Sequence, residues 1–503
     1  LTLGLLSEKI DHPDIIESAY EDILNKAENE HTLSSSKKPV HAVLDILKSS
    51  ARNSDFETTK YGLYLLQKKT ESIIDNKQLD DFKKRIYLSD LFEDIGYIGI
   101  TAAKGGSEEV TKLICNLLGE NGVYSINSHT NILTLSLLEK IGVLAAKNNL
   151  EEAVETVLDF FNYYVQMYDE YELEPNNGIL DLEALSFSYV HIGNESADRR
   201  MEDVCLKISF AFLDIEKLLL KKDNAKASTH RIDPFYRYGD SLVNNKLDSA
   251  ASAFIKNLGS ITIIALMDGN TDVVSETIGT INELARKCSV DSNMFYSTIS
   301  SSKVLEEIGI LMIDHYIEDY YFLLPTIIKS IQISEINIRN QEQMDTLLDS
   351  NFSIKTLEKI GSKSILNGLN KEAFYSISAL SNIGINILDF DLTWFARSKI
   401  NQILNSMCSI SEISINNENY KITRDIAFRI YEIGVKASTS RNFGVTHEAE
   451  RCLDEIYSFL VNASTKFNSE DYGELDYNKN KKLKREILEQ IETLKKSVEH
   501  SKT

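Results

Sequence analysis

Leu138-Glu139-Lys140-Ile141-Gly142 is the stretch that decides how the chain is read, because it returns. It comes back as Phe92-Glu93-Asp94-Ile95-Gly96, as Leu305-Glu306-Glu307-Ile308-Gly309 and as Leu357-Glu358-Lys359-Ile360-Gly361, with weaker echoes at Ile192-Gly193, Leu258-Gly259 and Ile433-Gly434. The glycines at 96, 142, 193, 259, 309, 361 and 434 lie 46, 51, 66, 50, 52 and 73 residues apart, a period near 50 that stretches twice. Repetition on this scale marks an architecture built by adding units. Each period has room for two helices of about twenty residues joined by short turns.

The residues around the word supply those helices. After Gly96 the chain turns at Lys104-Gly105-Gly106-Ser107 and enters a helix that opens with Glu108 and Glu109 and carries Val110, Leu113, Ile114, Leu117 and Leu118 on one face. After Gly142 it turns at Lys147-Asn148-Asn149 and opens the next helix with Glu151 and Glu152, followed by the stripe Ala153, Val154, Val157, Leu158 and Phe161. Acids at a helix start suit the partial positive charge of its free N–H groups. A glycine inside a helix costs about 1 kcal/mol against alanine, so its recurrence at one place calls for close helix packing in return. On that account Gly309→Leu overpacks an interface. The glycines Gly96, Gly142, Gly309 and Gly361 are therefore markers of the repeat.

Worked outward, the marker divides the chain into three parts. Residues 1–38 hold an N-terminal capping helix at 7–29 and a polar linker, and residues 39–465 form the hairpin array. Residues 466–503 are a second polar linker and an amphipathic helix at about 482–500, with Leu483, Ile487, Ile491, Leu494 and Val498 in one stripe. That stripe suits either a packed cap or self-association as a short coiled coil. The stretched spacings place insertions at about 221–238 and 389–420. Pro325 is expected to bend the second helix of the hairpin that follows Gly309. The expected fold is all-α: an α-solenoid of about eight long helical hairpins.

Composition agrees with a soluble helical protein. Of 503 residues 43% are hydrophobic and 26% charged, and only five are proline, which leaves long helices uninterrupted. A net charge of -22 argues against generic binding to nucleic acid or to an anionic membrane surface, since both require basic groups. Cys115, Cys205, Cys288, Cys408 and Cys452 are odd in number, scattered and without a CxxC, the pattern of reduced thiols in a cytoplasmic protein. No run of 18 apolar residues occurs. The first residue is Leu and not Met, which leaves room for a rival reading: the cytosolic regulatory part of a larger membrane protein whose spans lie upstream.

The pattern resembles the α-helical hairpin repeats of the HEAT and TPR type in architecture, over about residues 38–462. It does not fit the 34-residue tetratricopeptide pattern, and the prolines that often bend the first helix of a HEAT repeat are absent. The resemblance implies a fold and carries no functional residue.

Chemistry is sparse. Asp268-Gly269-Asn270-Thr271-Asp272 starts like a calcium loop, but Val273 and Gly279 stand where Gly and Glu are needed. His447-Glu448-Ala449-Glu450-Arg451-Cys452 lacks the second histidine of a zinc helix. Lys104-Gly105-Gly106-Ser107 lacks the frame of a phosphate loop, and the acids after it would repel an anion. No catalytic residue, metal ligand or cofactor site is expected. The basic and aromatic cluster His230, Arg231, Phe235, Tyr236, Arg237 and Tyr238 is the candidate partner contact, because insertions in solenoids map to one face. The aromatic runs at 160–164 and 320–322 read as core. The resulting expectation is a non-enzymatic scaffold that binds a protein or peptide, with an enzyme of unreadable site as a further rival.

Overall fold

The computed structural model describes residues 37–77, 79–124, 130–170, 175–222, 232–291, 293–315, 318–339, 352–389, 394–466, 481–483, 485–493 and 496. The helix expected at 7–29 lies outside the described residues, as does nearly all of the second linker. The chain forms two compact units, Leu1–Asn257 and Leu258–Thr503, and among the described residues every regular element is helical.

The first unit contains α1 (Lys37–Arg52), α2 (Phe56–Asp75), α3 (Asp81–Gly105), α4 (Glu108–Tyr124), α5 (Thr130–Lys147), α6 (Glu151–Glu170), α7 (Pro175–Asp198), α8 (Glu202–Lys222) and α9 (Ile232–Asn244). Helix α10 (Asp248–Met267) begins in the first unit and ends in the second. Odd-numbered helices α1 to α9 stack in one layer and α2 to α8 in another, and successive helices from α1 to α8 pack against each other across the two layers. The second unit continues with α11 (Thr271–Cys288), α12 (Phe295–Asp314), a 3-10 turn at Glu318–Leu323, α13 (Leu324–Arg339), α14 (Phe352–Leu366), α15 (Asn370–Leu388), α16 (Trp394–Asn416), α17 (Tyr420–Thr439) and α18 (Phe443–Lys466). Here α11, α13, α15 and α17 form one layer, and α12, α14, α16 and α18 the other. Within each unit this is the two-layer stacking of an all-α helical repeat.

The tight hairpin turns share one geometry. Each has a single left-handed residue: Ser54, Gly106, Asn149, Arg200, Lys246, Gly269, Gly368, Glu418 or Arg441. Two amides around it bond back into the ended helix, as when Asn149 N–H reaches Ala146 O at 3.0 Å and Leu150 N–H reaches Ala145 O at 2.9 Å. Those bonds satisfy carbonyls that a helix end leaves free. In most of these hairpins a small residue sits seven positions before the left-handed one: Gly99, Gly142, Gly193, Gly239, Gly361, Ser411 and Gly434.

That register explains what the small residue does. A Cβ added to Gly142 would fall 2.6 Å from Ile192 Cδ1, at Gly193 2.6 Å from Tyr238 Cε2, and at Gly259 2.4 Å from Val304 Cγ1. Gly361 faces Ile410 Cδ1 at 3.2 Å and Gly384 faces Ile433 Cδ1 at 3.2 Å in the same way. At Gly142, Gly193, Gly361 and Gly384 the residue before the next small marker of the layer thus seats on the glycine, whereas Gly259 is met one turn earlier, by Val304 and not Ile308. The glutamate of the word ties the same neighbours: Ser188 donates to Glu139 at 2.9 Å, Ser406 donates to Glu358 at 2.7 Å, and Thr356 bonds Glu306.

Both expected insertions are corrected by this register. Residues 232–238 are the first half of α9, which stacks on α7, while 223–231 lie outside the described residues. Tyr238-Gly239 is the word in α9 with Tyr in place of Ile, 46 residues after Gly193, and Pro234 sits in the first helical turn, where its missing N–H has no helical partner to lose. The segment 389–420 likewise contains the 23-residue α16, which packs on α14 and α18, with Ser411 at the marker position 50 residues after Gly361. The spacing of 73 arises because the glycine moves from α14 in one layer to α17 in the other, and the spacing of 66 runs from Gly193 on α7 to Gly259 on α10. Pro325 is corrected too: it is the second residue of α13 and starts that helix instead of bending one.

A candidate groove across three helices

Helices α3, α5 and α7 lie side by side in the first unit, so residues on their outer faces converge although they are 46 to 51 residues apart in sequence. An open groove of about 650 Å³ results. Tyr97, Ile100, Val143 and Leu144 give it an apolar floor, with Lys104 at the α3 side. Glu139 and Lys140 of the founding word contribute from α5, and His191, Asn194, Glu195 and Asp198 from α7. Tyr97 is 48% exposed, so its ring presents a large apolar surface to solvent.

The polar residues of the groove are held by bonds between repeats. Glu139 accepts the Ser188 hydroxyl and meets His191 Nδ1 at 2.6 Å. Lys147 pairs with Glu195 at 3.6 Å, and Asn245 donates to Asp198 at 3.0 Å. Asn148 donates to the carbonyls of Ala103 at 2.9 Å and Leu144 at 3.0 Å, which ties α3 to α5. Asn194 Oδ1 is buried with no hydrogen-bond partner in the protein. An unpaired buried carbonyl oxygen is a cost that a donor on a bound molecule would relieve.

The cluster expected to meet a partner is divided by the structure. Phe235 and Tyr238 are buried, and they belong to an aromatic core in which Phe212 meets Phe235 at 4.7 Å, Tyr238 at 5.4 Å and Phe254 at 5.9 Å between ring centres. Their role as contact residues is therefore corrected: α9 turns them inward because they occupy its core-facing positions three residues apart. Arg237 is exposed and Tyr236 half-buried, while His230 and Arg231 lie outside the described residues. Sequence alone does not reveal the groove, since Glu139 and Lys140 stand there only as members of the repeated word. Its signal was the position after each marker glycine in one layer: Tyr97, Val143 and Asn194.

The other motifs lie in turns, on helix surfaces and in the core. Gly269 is the left-handed turn residue between α10 and α11, and Asn270 caps α11 by accepting from Val273 N–H at 3.3 Å. His447 pairs with Glu450 on the surface of α18 at 3.6 Å. Phe161 and Tyr164 are core, and so is Tyr320, whereas Phe322 is exposed. Among the described residues no group of His, Cys, Asp and Glu is arranged to hold a metal ion. Burial pushes the thiols of Cys115 and Cys205 up to about 12.

Among the described residues one helix, α10, is long and apolar enough to cross a membrane, and 67% of its apolar window is buried within the protein. In the C-terminal segment Leu483, Ile487 and Ile491 are buried, and Glu486 pairs with Arg424 of α17 at 2.9 Å. The described part of that stripe is thus covered by its own chain, while Leu494 and Val498 lie outside the described residues.

No family model matches this chain, and no curated protein matches it in sequence. Among solved structures it is similar to a circular tandem repeat protein with novel repeat topology and enhanced subunit contact surfaces, at 11% identity over 92% of this chain and 95% of that one, with a TM-score of 0.27.

Proposed function

We propose that the chain is a non-enzymatic helical-repeat scaffold that binds another protein or a peptide along the outer face of α3, α5 and α7. The observation that carries this reading is the groove itself: an apolar floor of exposed Tyr97 and half-buried Ile100, Val143 and Leu144, bordered by fixed charges from three consecutive repeats. An exposed aromatic ring rimmed by polar groups is a common feature of sites that meet other proteins. The groove is open and shallow, which suits a side chain or helix of a partner better than an enclosed small molecule. The five reduced thiols agree with a cytoplasmic setting.

Capture of partners from the native cell on the immobilised full-length chain tests this. Tyr97→Glu and Leu144→Glu place charge on the floor without touching the stacking face, and they should remove the partners that the parent retains. Arg237→Ala, on the exposed side of α9, serves as the rival surface. Retention of the same partners by both floor variants would exclude the groove, and their loss only in Arg237→Ala would move the site to α9.

A further inference from the structure

Two of the five cysteines lie on neighbouring helices with charged side chains against their sulfurs. Cys408 on α16 and Cys452 on α18 belong to neighbouring helices of one layer, and Cys408 Sγ lies 3.9 Å from the Cys452 carbonyl oxygen. Cys408 Sγ also points its proton at Glu455 Oε2, 3.2 Å away. Arg451 Nη2 donates to Cys452 Sγ at 3.7 Å, and the same guanidinium bonds Glu448 at 2.6 Å, Asn405 and Glu455. One thiol therefore has a carboxylate to take its proton, and the other has a cation beside its sulfur.

We propose that Cys408 and Cys452 are a peroxide-oxidisable dithiol that closes into a disulfide between α16 and α18. Cys452, whose sulfur accepts from the Arg451 guanidinium at 3.7 Å, is the attacking thiol. Its sulfur bonds one oxygen of hydrogen peroxide as the O–O bond breaks, and the departing hydroxide takes up the thiol proton to leave as water. The product is a sulfenic acid on Cys452. Cys408 then passes its proton to Glu455 and attacks the sulfenic sulfur. The S–S bond forms, the S–O bond breaks, and hydroxide leaves as a second water with the proton from Glu455. The two sulfurs lose two electrons and the peroxide gains them.

Cys408 suits the second role and not the first: its thiol is held well up by Cys452, by burial and by the Glu455 carboxylate, so it stays protonated until a sulfenic partner is present. Access is short. Arg451 and Glu455 touch the thiols on one side, while on the other their side chains are 43% exposed along an open groove of about 330 Å³. Cys115, Cys205 and Cys288 are buried as well, and they serve as internal controls.

The full-length chain is treated with hydrogen peroxide under native conditions, alkylated, digested and mapped by mass spectrometry. The expected product is one cross-linked peptide joining Cys408 to Cys452, with the other three cysteines recovered alkylated. Cys408→Ala should leave Cys452 as a sulfenic acid that dimedone labels, and Arg451→Gln should slow cross-linking several-fold while the helical circular dichroism is unchanged. Because the first reaction uses the parent chain, it decides the matter even if a variant does not fold. Absence of the cross-link in the folded parent, or oxidation of Cys115, Cys205 and Cys288 at the same rate, overturns the proposal.

Discussion

The Tyr238 ring lies against Gly193, and the phenol is fixed there by a 2.6 Å hydrogen bond from its hydroxyl to the Cys205 carbonyl. A Cβ at residue 193 would fall 2.6 Å from Cε2 and 2.8 Å from Cδ2, inside any real contact distance. The ring is buried among Phe212 and Phe254 and has nowhere to swing. Gly193→Ala should therefore destabilise the chain by about 1 to 3 kcal/mol, the usual cost of overpacking, despite alanine's better helix propensity. A denaturant midpoint equal to that of the parent would show that α7 and α9 are free to separate.

Other marker glycines should separate into two classes by what faces them. Gly259 meets Val304 at 2.4 Å, and a β-branched side chain on a helix has one main rotamer and cannot retreat. At Gly309 the nearest atoms, on Ile327 and Ile360, are 3.4 Å from a built Cβ, an ordinary contact. Gly259→Ala is expected to cost about 1 to 3 kcal/mol. Gly309→Ala should be neutral or stabilising by up to about 1 kcal/mol, from helix propensity alone. The larger Gly309→Leu still overpacks, because its branch extends beyond that first contact shell. Thermal melts of the three variants check the ordering.

The repeat was legible in the sequence because glycine is conspicuous inside a helix, and so was the all-α class. What stayed hidden was the equivalence of other residues to glycine. Ser411 does the work of the marker in α16, and Tyr238 replaces isoleucine in α9, so two repeats were read as insertions. Left-handed turn residues such as Arg200, Lys246, Glu418 and Arg441 added to this, since none is a turn former by composition. The groove was hidden for a different reason. Tyr97, Val143 and Asn194 become neighbours only once the stacking order of α3, α5 and α7 is known, and stacking is a tertiary fact. The aromatic runs were legible as core only in part: Phe161, Tyr164 and Tyr320 are buried, whereas Tyr163 and Phe322 are exposed on the outer faces of their helices.

Ile487 tests the role of the C-terminal segment. Its side chain is fully buried, between Leu483 and Ile491 in the same stripe, and Glu486 beside it pairs with Arg424. Removing a buried isoleucine to alanine costs about 2 to 5 kcal/mol where the surroundings do not collapse. A terminal segment held by one stripe should detach locally before the unit unfolds. Ile487→Ala is thus expected to speed amide exchange along α17 near Arg424 and Phe428 while leaving α14 unchanged. Equal acceleration in both helices would mean that the segment stabilises the whole second unit cooperatively.

Glu306 gives the repeat a pH dependence whose sign is fixed by its surroundings. Burial raises its carboxyl above the ordinary value of 4.5, and the Thr356 hydroxyl and the Lys359 charge only partly oppose that. Glu306 Oε2 has no partner, so the charged form leaves one oxygen unsatisfied. A carboxyl with a raised value in the folded state binds its proton more tightly there than in the unfolded chain. Its favourable contribution is full below the unfolded value and is lost as pH rises through the folded one. Glu306→Gln keeps an acceptor for Thr356 and removes the buried charge. The variant should melt above the parent at pH 7, and the gap should shrink as pH falls through the carboxylate range towards pH 4. A difference in melting temperature that stays constant between those two conditions would show that the Glu306 carboxyl titrates as it does in the unfolded chain.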